Sequence, residues 1–160
     1  MASEVRAHGA SSGEKSVDGL LAKLKAASKK LGVFAQAFGP EAIVSERQLL
    51  LAHILAEKAF AAKENVAKSM ETEVLLRAAA QPRINEAIRL VGVKKPSQLI
   101  LLTDASGEKL AKLLSAIGGK KAVVKLGGEK AAKLYGVTPQ KGYTVEELLF
   151  EKMAMLAVER

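Results

Sequence analysis

The chain is expected to fold as an α/β (mixed α+β) domain, with one small mixed β-sheet flanked by helices. Three observations carry this expectation. Apolar residues recur at spacings of three and four in several segments, short apolar runs lie between those segments, and helix-start and helix-stop residues divide the two kinds. At 160 residues the chain is long enough for one full core and too short for two comfortable ones. A single domain over residues 16–160 is therefore expected, with residues 1–15 a weakly ordered N-terminus or a short edge strand.

Taken in order, Leu20, Leu24, Ala27 and Leu31 form one helical face, with Lys23, Lys25, Lys29 and Lys30 outside it and Gly32 as the stop. Residues 33–37 form a short, largely apolar run before Gly39-Pro40, which predicts a strand and a turn. Ser45 with Gln48 predicts a capping box and a helix through Leu50, Ile54 and Ala61 that frays near Asn65. Residues 71–77, holding Val74, Leu75 and Leu76, read as a buried strand. Ile84, Ala87, Ile88 and Val91 make the next helical stripe, ended by Gly92. Residues 99–103 are apolar on both faces and predict a central strand. Ser106 is placed to cap a helix that turns Leu110, Leu113, Leu114 and Ile117 inward and stops at Gly118-Gly119. A short strand over 122–126 and a short helix over 129–135, ended by Gly136, follow. Thr144 with Glu147 is a second capping box, opening a last helix that carries Leu148, Leu149, Met153 and Leu156.

Composition narrows the function classes. The chain has no cysteine, which excludes disulfides, thiolate nucleophiles and cysteine-bound zinc. No apolar run approaches the roughly 18 residues of a membrane helix. Glu4 and the lack of a continuous apolar stretch argue against a secretory leader, so a cytoplasmic protein without membrane contact is expected. Twenty-five Lys+Arg against 17 Asp+Glu leave a formal net charge of +8, which favours a polyanionic partner through counterion release. Lysine kept for solubility explains the same excess.

Catalytic groups are scarce. His8 and His53 are the two histidines, and His53 has Glu57 one turn on where a zinc protease needs a second histidine. No metal site is expected. Gly13-Glu14-Lys15-Ser16 lacks the spacing of a phosphate loop and puts an acid in its middle. Gly118-Gly119-Lys120-Lys121 ends a helix, where the dipole disfavours phosphate; Gly127-Gly128 precedes a short helix and reads as a plain turn, with weak anion binding the alternative. Glu146 and Glu147 complement the dipole of the last helix. A non-enzyme without cofactor or small-molecule substrate is the expectation.

Two binding surfaces are predicted instead. Lys58, Lys63 and Lys68, followed by Arg77 and Arg83, form a candidate cationic patch for RNA phosphates, with Phe60 the nearest aromatic. A solvated lysine face is the alternative reading. On the last helix Leu149, Phe150, Met153 and Leu156, with Val145, Leu148 and Met155, make an apolar arc wider than one face, a candidate partner-docking surface. Full burial is the alternative there.

The block LLLAHILAEKAFAAKENVAKSMETEVLLR followed by PRINEAIRLVGV, and then LILLT and LLFEKMAMLAV, resembles the small kinase-binding subunits of the KEOPS tRNA-modification complex, the TPRKB-like family in its archaeal type. The likeness covers most of the chain after about residue 16. It implies a non-catalytic subunit that docks on the atypical kinase/ATPase subunit of KEOPS. That complex carries out threonylcarbamoylation of the adenosine next to the anticodon. The likeness further implies help in recruiting tRNA through its single-stranded 3′ CCA end. Under it Lys63, Lys68, Arg77 and Arg83 become RNA contacts and the last helix a kinase-docking surface. The chain departs from the family pattern at Arg77, where an aromatic residue is common in archaeal relatives, and at Pro82-Arg83. The rival function is a stand-alone basic RNA-binding domain of ribosomal type.

Overall fold

Residues 4–156 are described by a computed structural model of mixed α+β class, and among them the chain forms two compact units. One comprises Met1–Pro40 and Val93–Lys125, the other Glu41–Gly92 and Leu126–Arg160.

The first unit holds the sheet. Its strands are β1 (Arg6–Ser12), β2 (Ala35–Phe38), β3 (Leu99–Thr103) and β4 (Gly119–Lys121), in the order β2-β3-β1-β4 with every pairing antiparallel. The expected central strand is β3, and all five of its residues are buried. The N-terminal segment corrects the expectation of a loose end or edge. β1 is the longest strand and lies between two others, pairing Ala7 with Leu102 on one side and Ser11 with Lys120 on the other. Its small residues permit this. A Cβ on Gly9 would stand 2.4 Å from the Ala122 carbonyl oxygen, so only glycine lets the neighbouring chain approach so closely.

Helix α1 (Val17–Leu31) starts where the Ser16 hydroxyl accepts the Gly19 N–H at 3.0 Å and stops at Gly32, whose φ of 68° is left-handed. It packs with α5 (Gly107–Ala116) against one face of the sheet, burying Leu20, Leu24, Leu110, Leu113 and Ile117 with Ala10, Leu99 and Leu101. The last strand falls on residues 119–121 rather than 122–126. The glycine pair that ends α5 also begins β4, and Val123 beyond it is fully exposed.

The second unit is helical. Helix α2 (Glu46–Ala61) begins after Ser45 as expected, but the capping box is absent. The Ser45 hydroxyl donates to Glu146, and Gln48 turns inward instead. The buried face of α2 is Leu49, Ala52, Ala56 and Ala59, whereas Ile54 is exposed. Residues 71–77 are the largest correction. They are not a strand but lie in helix α3 (Met70–Ala79), started by the Ser69 hydroxyl accepting the Thr72 N–H. Glu73 through Ala79 are all buried, so no polar stripe marks the helical period. Helix α4 (Ile84–Val91) follows, then a 3-10 helix over Gly128–Tyr135 and α6 (Val145–Met155). The capping box of α6 forms as predicted: Thr144 Oγ1 accepts the Glu147 N–H at 3.0 Å, and Glu147 Oε1 accepts the Thr144 N–H at 3.2 Å. Ala157 and Val158 of the closing apolar block lie outside the described residues. Among the described residues no helix is long and apolar enough to cross a membrane.

Candidate functional site

The predicted cations belong to the second unit, and the structure sorts them sharply. Lys58 lies in the last turn of α2, Lys63 and Lys68 in the loop between α2 and α3, and Arg83 at the N-cap of α4; all four are exposed. Arg77 is different. It is 1% exposed inside α3, its Nε donating to Glu73 Oε2 at 2.8 Å. A guanidinium so enclosed does not present itself to a phosphate, and its place in the RNA patch is withdrawn.

The loop that carries Lys63 and Lys68 is held at several points. Helix α2 closes with the Glu64 N–H donating to the Ala59 carbonyl at 2.8 Å, and Lys63 takes a left-handed φ of 59° to make the reversal. Asn65 Nδ2 donates to the Ala67 carbonyl at 2.8 Å. Glu73 Oε1 accepts the backbone N–H groups of Val66 and Ala67, both at 2.8 Å. Glu73 is itself 0% exposed, so a wholly buried carboxylate fixes the middle of an exposed loop.

The predicted partner surface on α6 is mostly interior. Leu149 and Met153 are fully buried and Leu156 nearly so. Phe150 is half-buried, with the Arg47 guanidinium carbon 5.8 Å from its ring centre. The reason is local: the helix packs against α2, α3 and the 3-10 helix, so three neighbours cover its apolar arc. What α6 leaves open is a groove of about 420 Å³, lined in part by Val137, Tyr143, Leu148, Lys152 and Met155.

An apolar surface that the sequence did not single out lies on α4. Only Ala87 and Val91 of its stripe are buried, while Ile84 and Ile88 are 46% and 48% exposed, one turn apart on the same face. Beside them Arg89 Nη2 donates to Glu86 Oε2 at 2.6 Å. That hydrogen bond, with the attraction of the same guanidinium, holds the Glu86 carboxyl below its ordinary range. Spacing alone points to core here, because it reports a face and not what covers it.

A buried polar hub supports these helices. Gln48 accepts the Val44 N–H at 2.8 Å and donates to the Ala78 carbonyl at 2.9 Å and to the Tyr135 hydroxyl at 2.7 Å. Tyr135 in turn donates to the Ala42 carbonyl. Burial pushes the Tyr135 phenol up to about 12, the Gln48 hydrogen bond opposing the shift. His53, half-buried on α2, has Nδ1 3.1 Å from Glu57 Oε1, and His8 lies on β1. Among the described residues no three His, Asp or Glu side chains gather as a metal site.

Known proteins resemble this chain, one of them along most of its length. "Regulatory protein Cgi121" of Methanocaldococcus jannaschii is 26% identical over 133 residues, covering 81% of this chain and 88% of that protein. "KEOPS complex subunit Cgi121" of Pyrococcus abyssi is 36% identical over 73 residues, 44% of this chain and 43% of that one. Residues 15–157 match the family described as kinase binding protein CGI-121, a span that takes in both units and all the exposed cations above. The chain belongs to the kinase binding protein CGI-121 family.

Proposed function

We propose that this chain is a non-catalytic KEOPS subunit that docks on the complex's atypical kinase/ATPase subunit and helps recruit tRNA by its 3′ CCA end. In this reading residues 16–160 work as one domain in the cytoplasm. The family's description as kinase-binding supports the first partner, and the name of the Pyrococcus abyssi relative supports the complex. The observation that carries the reading is the exposed apolar pair Ile84 and Ile88, since a helix that leaves two isoleucines half in water is suited to covering by a partner. The kinase contact accordingly moves from α6 to α4. Lys58, Lys63, Lys68 and Arg83 supply exposed charge for tRNA phosphates.

Co-purification with the kinase-like subunit tests the docking face. Ile84→Glu with Ile88→Glu should abolish co-purification while the far-UV spectrum and melting temperature stay near wild type. Met153→Glu should instead unfold the protein, because that side chain is fully buried. Retained co-purification by the folded double variant rejects the α4 surface. A gel shift with intact tRNA and tRNA lacking its CCA end tests the RNA role. Equal affinity for both would favour a basic RNA-binding domain of ribosomal type.

A further inference from the structure

Glu73 and Arg77 are the two fully enclosed charged side chains of α3, and neither is accounted for by a surface role. Burying an ion pair is poor value for stability alone, because desolvation consumes most of the attraction, and apolar residues of similar volume often serve the fold as well. Here the pair is not even fully satisfied: Arg77 Nη2 lies 2.8 Å from Glu73 Oε2 without the alignment of a hydrogen bond. What the carboxylate does achieve is directional. Its second oxygen reaches out of the helix and takes two successive backbone N–H groups, those of Val66 and Ala67, between the two exposed lysines of the loop.

We propose that Glu73 is a positioning residue for the loop over 62–69, held in place by Arg77, so that Lys63 and Lys68 are presented to RNA phosphates as a preformed pair. This deepens, and rests on, the RNA-contact reading above. The advantage is entropic. A loop already ordered before binding does not lose that freedom when RNA arrives, and ordering costs subtract directly from affinity. The left-handed Lys63 and the Asn65-to-Ala67 bond order the same loop further, and Lys63 and Lys68 are both exposed on it. Arg77 thus has a part in RNA binding without touching RNA, by neutralising the buried carboxylate that shapes the loop.

The test is a double-mutant cycle on tRNA affinity. Glu73→Leu with Arg77→Met replaces the pair by apolar groups and releases the two amides. The lysines are removed by Lys63→Ala with Lys68→Ala. The released-loop variant should bind intact tRNA roughly three- to tenfold more weakly than wild type. In the background without the two lysines the same release should change nothing. Equal loss in both backgrounds would mean a general weakening of the fold and overturns the proposal, as would no loss in either. If removing the lysines leaves tRNA affinity unchanged, the RNA reading of the loop itself fails, and the inference falls with it. Amide hydrogen exchange on the wild-type protein gives a second test that needs no variant to fold. Val66 and Ala67 should be protected well above free-peptide rates, and free exchange at both overturns the clamp.

Discussion

Replacing Tyr135 by Phe should destabilise the protein at neutral pH and progressively cease to do so in alkali. The hydroxyl donates to the Ala42 carbonyl and accepts from Gln48 Nε2 at 2.7 Å in a site 2% exposed. Its removal strands a buried carbonyl and one N–H of Gln48, a cost of about 1–3 kcal/mol. Alkali acts on the wild type alone. The phenol ionises near 10 in the unfolded chain and near 12 in the fold, so between those values the folded state holds a proton that the unfolded state has released. Unfolding is then favoured by rising pH: the stabilisation is whole below pH 10 and is lost on the way to 12. At one pH unit above the unfolded value the loss is roughly 1 kcal/mol, and across both units roughly 3 kcal/mol. The Tyr135→Phe variant carries no such proton. Urea unfolding of both proteins at pH 8 and at pH 11, followed by circular dichroism, isolates this effect because lysine ionisation is common to the two. The gap between them should shrink by roughly 1 kcal/mol at the higher pH. A gap that stays constant would refute the buried, proton-holding role of Tyr135.

Gly9→Ala should lower the melting temperature clearly, at a cost of about 1–3 kcal/mol, because its methyl would meet the Ala122 oxygen at 2.4 Å and Val124 Cγ2 at 3.0 Å. A melting temperature equal to wild type would show that β1 and the chain beside it are not so closely spaced. Removing Lys63 and Lys68 together should leave the melting curve unchanged and flatten the dependence of tRNA affinity on salt, by about 1.4 in the log–log slope for two phosphates of a single strand. An unaltered slope across a salt titration would place the phosphate contacts elsewhere.

The fold was legible wherever its signals were local. The stop of α1 at Gly32, the stripe of Leu110, Leu113, Leu114 and Ile117, the central strand and the Thr144–Glu147 capping box each depend on residues within a turn or two of one another. Misreadings came where a distant partner intervened. The Ser45 hydroxyl is claimed by Glu146 and Gln48 by Tyr135, so a pairing that spacing suggested never forms. The α3 segment read as a strand because Val74, Leu75 and Leu76 form an unbroken apolar run, and a helix enclosed on every side has no polar stripe to reveal its period. The Glu73–Arg77 spacing of four was the overlooked helical signal.

Sequence alone determined the mixed α+β class and most of its helices, the excess of positive charge, the shortage of catalytic groups and the likeness to a kinase-binding family. Each of these is a property of neighbours along the chain or of totals over it. Only the tertiary structure decided which apolar faces are spent on the core and which remain open, sending Leu149, Met153 and Leu156 inward and leaving Ile84 and Ile88 outside. It decided equally that Arg77 is a buried counterion while Lys63 and Lys68 stay in water. The physical reason is that periodicity specifies a face, whereas burial depends on what packs against that face from elsewhere in the chain.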